Sequence, residues 1–104
     1  MSLGFWLEVI APTSVYNGNY THNVTPMWGK AGVYDALYNS EGKKAWEIIE
    51  TLKKGYGNML ENPGEYKAMD PSNGWGSYKT ALVFLEEVIT ACEDNPNAIV
   101  GISK

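Results

Sequence analysis

The chain has 104 residues, 44% of them hydrophobic and 19% charged, with eight basic against twelve acidic side chains. That is the size and make-up of one ordinary folded domain, able to bury roughly 65% of the surface its unfolded form exposes without disulfides or metal. All eight basic residues are lysines, and an acidic chain without the arginine fork is a poor partner for phosphates and base edges, which argues against DNA or RNA.

Taken in chain order, Phe5–Ile10 is rich in aromatic and β-branched residues between Gly4 and Pro12 and reads as a strand. Asn17-Gly18, between Val15-Tyr16 and Asn19-Tyr20, carries the signal of a type I′ turn and predicts a small hairpin or a tight surface loop. Thr25 is expected as an N-cap with Pro26 at the first helical position, where its missing N–H is harmless. Met27, Ala31, Tyr34 and Tyr38 then recur on one face, with Leu37 beside them, predicting one helix of about three turns.

A second helix is expected after Asn39-Ser40, striped by Ala45, Ile48, Ile49, Leu52, Tyr56, Met59 and Leu60. Gly55 and Gly57 interrupt it, each costing up to ~1 kcal/mol relative to alanine. Because the apolar register continues past them, a kink or a close helix contact is expected there. Asn62-Pro63-Gly64-Glu65 resembles a capping box opening a short helix through Met69, stopped by Asp70-Pro71. Ser77 caps the last helix, whose stripe is Ala81, Leu82, Leu85, Val88, Ile89 and Cys92 with Phe84 at its edge, and Asn95-Pro96 ends it. Ile99–Ile102 reads as a terminal strand. Strands at both chain ends are expected to pair, with helices covering one face of the ribbon. The fold class is therefore α+β, mostly helical: about three to four helices on a small sheet formed by the N- and C-terminal strands, in a single domain spanning 1–104.

No apolar run approaches the ~20 residues of a membrane span. Met1–Ile10 lacks the basic region and cleavage site of a secretory signal, so a cytoplasmic setting is expected, and Met1-Ser2-Leu3 has the look of a cloning remnant. The one cysteine, Cys92, forbids an intramolecular disulfide and a cysteine-based zinc cluster. It is followed by Glu93 and Asp94 and sits near a helix carboxyl end, so it reads as core packing rather than a nucleophile.

His22 is the only histidine. As a general base it needs an orienting partner, and as a metal ligand it lacks a second histidine, so no metal and no cofactor are expected. Asn19-Tyr20-Thr21 and Asn23-Val24-Thr25 match the glycosylation pattern but read as turn- and cap-forming residues. Asp70–Gly74 fails as a calcium loop, since its sixth and twelfth positions would be Trp75 and Ala81. Gly55-Tyr56-Gly57 and Gly74-Trp75-Gly76 lack the third glycine and preceding strand of a dinucleotide fingerprint. Four tryptophans and seven tyrosines exceed what so small a core requires, and Trp75, between two glycines, stands out as a candidate interface anchor.

Tyr20-Thr21-His22-Asn23-Val24-Thr25-Pro26-Met27, then Asn73-Gly74-Trp75-Gly76-Ser77-Tyr78, then Ala91-Cys92-Glu93-Asp94-Asn95-Pro96 follow one another in the chain. In that order they resemble an uncharacterised family of small bacterial and phage-associated proteins, over most of the chain after about residue 8. The resemblance implies a bacterial or phage cytoplasmic setting and brings no substrate, cofactor or mechanism.

The sequence thus points to a non-enzymatic protein-binding or accessory domain, acting on another protein or by self-association. Its candidate binding residues are Tyr20, His22, Asn23 and Trp28 together with Asn73, Trp75 and Tyr78. The two loops that carry them are expected to sit near each other, since each precedes a helix start. The alternatives are a small hydrolase or transferase using His22 with Asp35 or Glu65, and a small-ligand binder stacking a ring on Trp75.

Overall fold

Residues 2–10 and 13–104 are described by the computed structural model; Met1 and the expected strand boundary Pro12 lie outside them. The first strand, β1 (Ser2–Ile10), is longer than Phe5–Ile10 and includes Gly4, which pairs with Asn19 on one side and Ser103 on the other. Over Leu3–Glu8 its faces alternate: Leu3, Phe5 and Leu7 are fully buried while Gly4, Trp6 and Glu8 lie on the opposite face; past the register shift at Glu8, Val9 is exposed. Leu3 is therefore part of the core. Each of these three side chains contributes about 1.5–3 kcal/mol by leaving water.

The expected Asn17-Gly18 turn is a strand interior. β2 (Thr13–Thr21) runs antiparallel to β1, with Asn17 opposite Trp6 and Gly18 opposite Phe5. Pairing with β1 overrides the local turn preference of Asn17-Gly18. Gly18 has a packing role in the strand, because a Cβ there would strike the Tyr16 ring. β3 (Ile99–Ser103) pairs antiparallel with the other side of β1, so the terminal strands do form the sheet, in the order β2-β1-β3. On its outer face the Trp6 ring lies against Gly101, where any side chain would collide with it, and Trp6 Nε1–H donates to Glu8 Oε1 at 2.9 Å.

The helices cover the inner face. The expected three-turn helix is two short ones, α1 (Thr25–Ala31) and α2 (Tyr34–Tyr38), separated by Gly32 at φ +85°. The apolar stripe continues across the break because Val33 and Leu37 still face the core. Thr25 makes no capping bond; the side-chain cap lies one turn earlier, where Thr21 Oγ1 accepts from Asn23 N–H and starts a 3₁₀ turn, His22–Val24.

α3 (Trp46–Glu61) begins later than the end of Asn39-Ser40, because residues 42–45 are spent on the sheet: Gly42 N–H donates to the Val100 carbonyl and Val100 N–H to that of Lys43. Ile48, Leu52 and Met59 are buried as its stripe predicts, while Leu60 is half-exposed. Gly55 marks a close contact: the Val33 side chain and the Ala31 carbonyl occupy the space a Cβ would need. Gly57 faces open space.

α4 (Pro63–Lys67) stops short of Met69 and has no side-chain cap; Asn62 Nδ2 instead donates back to the Asn58 carbonyl at the end of α3. α5 (Tyr78–Asp94) is capped as expected, Ser77 Oγ accepting from Thr80 N–H at 3.2 Å. Asp70 Oδ1 accepts from Tyr78 N–H at 2.6 Å, a second acceptor at the same helix start. α5 packs along α3 and across the sheet, burying Ala81, Phe84, Leu85, Val88, Ile89 and Cys92. The architecture is α+β and mostly helical, five α-helices among the described residues packed on a three-stranded antiparallel sheet. None of those helices is long and apolar enough to cross a membrane.

Candidate functional site

Strand alternation turns Tyr20 toward α5. Its ring stacks on Phe84 with centroids 5.2 Å apart and tilts against Trp28 at 6.0 Å. This holds its hydroxyl at the amino end of α5, where it accepts from Ser77 N–H at 3.2 Å and meets Thr80 Oγ1 at 2.7 Å and the Ser77 carbonyl at 3.3 Å. One phenol thus joins two segments 57 residues apart in sequence.

Gly76 completes the junction. At φ +92° it takes a backbone conformation that side chains resist, and a Cβ there would lie 2.7 Å from Thr21 Cγ2 and 3.1 Å from Val24 Cγ1. The Trp75 loop therefore rests directly on the Thr21–Val24 turn. Its shape is further set by Asn73, whose Oδ1 accepts from Trp75 N–H at 2.9 Å, and by Gly74 at φ +78°. Trp75 itself is 68% exposed.

The result is a groove of about 720 Å³ lined by Ser2, Asn19, Tyr20, Thr21, His22, Asn23, Trp75, Gly76 and Thr80. Of the seven residues read from sequence, the fold brings Tyr20, His22, Asn23 and Trp75 together. Trp28 is fully buried and Tyr78 nearly so, and both belong to the support beneath the groove. Trp28 packs on Tyr20 and Phe84, and Tyr78 Oη donates to the Met59 carbonyl at 2.7 Å. Asn73 is exposed but is used in shaping the loop. Thr21, Gly76 and Thr80 were not legible as site residues, because the strand that delivers Thr21 was hidden behind the Asn-Gly signal and Thr80 enters only through Tyr20.

His22 Nδ1 lies 2.8 Å from Tyr38 Oη, on α2. Either group can donate in this contact, according to the tautomer of the ring. The Tyr38 hydroxyl is pushed up to about 12, chiefly by burial and then by neighbouring Tyr34, so it stays protonated at ordinary pH. Tyr34 stacks flat on Tyr38, 4.5 Å away and within 4° of parallel, and fixes the pair.

Neither carboxylate considered as a partner for His22 contacts it. Asp35 Oδ1 accepts from Asn39 Nδ2 at 2.8 Å, and Glu65 lies 4.0 Å from Lys30 Nζ. Among the described residues, the groove lining contains no Asp, Glu or Lys. Among the described residues no group of three or more His, Cys, Asp and Glu side chains is placed to hold a metal ion. Cys92 is buried on the inner face of α5, its thiol pushed up to about 12 by burial and then by Glu93. What the groove offers is hydrogen-bonding groups, one imidazole and one projecting indole. Comparison with family models, curated proteins and solved structures finds no match to this chain.

Proposed function

We propose that this chain is a protein-binding accessory domain, and that its partner docks an uncharged, partly apolar segment in the groove between Thr21–Asn23 and Trp75. The observation that carries this reading is Trp75: an indole 68% exposed, on a loop held in place by Gly76, Asn73 and the Tyr20 hydroxyl. A tryptophan presented on ordered backbone loses little entropy on binding and buries a large area, which is how interface anchors gain affinity. His22, Asn23 and Thr80 surround it with donors and acceptors that select the partner's polar groups. The bacterial or phage setting and the cytoplasmic location rest on the motif resemblance.

A second reading is a small-molecule site in which a planar ring stacks on Trp75. The groove volume of about 720 Å³ favours it, falling in the range of small-ligand pockets. The enzyme reading has less support, since His22 contacts a phenol and no carboxylate. The test is selection from a displayed random-peptide library on the wild-type chain, with Trp75→Ala and His22→Ala assayed on the winning peptides. The expected result is loss of roughly 30-fold or more in affinity on Trp75→Ala, the behaviour of an interface anchor. Peptides that bind all three proteins equally refute the assignment.

A further inference from the structure

The two edges of the sheet are treated differently. The free edge of β3 is closed by residues 42–45: Gly42 N–H bonds the Val100 carbonyl at 2.9 Å, Val100 N–H that of Lys43 at 2.8 Å, and Ala45 N–H that of Ala98 at 2.8 Å. Along Ser14–Thr21 of β2, among the described residues, backbone bonding is to β1 alone. An open strand edge offers alternating N–H and C=O groups to any extended chain laid beside it.

Next to that edge a groove of about 510 Å³ runs between β2 and α5. Val15 and Val83, 44% and 53% exposed, give it apolar walls, and Glu86, Glu87 and Asp94 line its helix side. Among the described residues neither ion pair involves these carboxylates; Lys53 pairs with Glu93 and Lys30 with Glu65. It shares no lining residue with the groove at Trp75.

We infer that the β2 edge takes up an extended basic segment of another protein as a fourth strand, with lysine or arginine side chains over Glu86, Glu87 and Asp94 and apolar ones against Val15 and Val83. Strand addition supplies affinity through backbone bonds, and the flanking groove supplies specificity. Charge selects the occupant. A second copy of this chain brings its own net charge of −4. Paired edge to edge about a two-fold axis, it also sets a second acidic α5 flank against the first, which like-charge repulsion opposes. A basic strand meets the same carboxylates favourably.

The probe is an acetylated, amidated seven-residue peptide whose alternate positions, the ones turned toward α5, carry lysine and valine in turn with threonine between them, titrated into isotope-labelled protein and followed by amide chemical shifts. A second peptide of the same sequence carries N-methyl groups on alternate backbone amides, keeping the charge and removing the strand edge. The expected result is saturable shifts confined to Ser14–Gly18 and the Val83–Asp94 flank, clear of the Asn19–Thr21 lining of the Trp75 groove, with slowed amide exchange along that part of β2. Weakening by about tenfold or more is expected with the methylated peptide and, separately, with Glu87→Lys. Trp75→Ala leaves this binding unchanged, so failure here is distinguishable from failure of the reading of the Trp75 groove. Equal binding of both peptides shows charge attraction alone and overturns the inference, as does the absence of saturable binding. Sedimentation showing a dimer that the peptide cannot displace from β2 overturns it in favour of a second copy.

Discussion

Replacing Gly76 by alanine tests the packing that builds the Trp75 groove, and Gly74→Ala supplies the control. Both glycines have positive φ, +78° for Gly74 and +92° for Gly76. An alanine in left-handed backbone costs about 1–2 kcal/mol, offset by about 0.4–1 kcal/mol from the stiffer unfolded chain, which leaves about 1 kcal/mol at Gly74. Gly74 has nothing within 4 Å of the added Cβ, so nothing more is lost there. At Gly76 the added carbon meets Thr21 Cγ2 at 2.7 Å, Val24 Cγ1 at 3.1 Å and Tyr20 Oη at 3.2 Å. Forcing a methyl into packed surroundings adds about 1–3 kcal/mol, for a total of about 2–4 kcal/mol. Near this chain length 1 kcal/mol moves Tm by about 4–8 °C, so Gly74→Ala lowers it by about 5 °C and Gly76→Ala by roughly 10–20 °C. Thermal unfolding followed by circular dichroism measures both, and tryptophan emission reports whether Trp75 changes environment. Equal losses for the two variants refute the claim that the loop is seated on the Thr21–Val24 turn.

Other substitutions separate contacts of the same kind. Gly55→Ala destabilises by about 2 kcal/mol despite alanine's better helix propensity, because the Val33 side chain and the Ala31 carbonyl must move; Gly57→Ala, facing open space, stabilises by about 0.5–1 kcal/mol. Denaturant titration of both checks the opposite signs. Tyr20→Phe keeps the stack on Phe84 but deletes the hydroxyl shared by Ser77 and Thr80, costing about 1–2 kcal/mol and loosening the Trp75 loop, read as increased acrylamide quenching. Alkaline pH destabilises the chain. Burial is the leading cause that pushes Tyr16, Tyr38 and Cys92 up to about 12 from ordinary values of 10.0, 10.0 and 9.0. The unfolded chain loses these protons first, so their contribution is full below about pH 9 and is lost as pH rises toward 12. A Tm that stays constant from pH 9 to 12 contradicts this.

Much of the fold was legible because its signals are local. The stripe of α5 with its Ser77 cap and the strand character of Phe5–Ile10 depend on residues a few positions apart. The errors share one cause. Asn17-Gly18 has the local chemistry of a turn, yet hydrogen bonding to β1 and the fit of Tyr16 over Gly18 hold it in a strand. Thr25-Pro26 marks a helix start correctly, but the side-chain cap belongs to Thr21, because β2 passes straight into the 3₁₀ turn.

Of the residues singled out by type, a lone imidazole and an indole between glycines among them, Tyr20, His22, Asn23 and Trp75 line one groove. The sequence placed Trp28 beside them, because neighbours in sequence share a loop more readily than a direction. A helical rotation after Val24 turns Trp28 into the core while His22 and Asn23 stay at the groove. By itself, then, the sequence determined the α+β class, the two long helices with the Ser77 cap of the second, and which side chains are chemically conspicuous. Only the tertiary structure decided that β2 is an edge strand, that its Tyr20 reaches the start of α5, and that Gly76 lets the Trp75 loop rest on Thr21. Those contacts join residues more than fifty positions apart, and their geometry depends on how the sheet and helices pack, which no local pattern encodes.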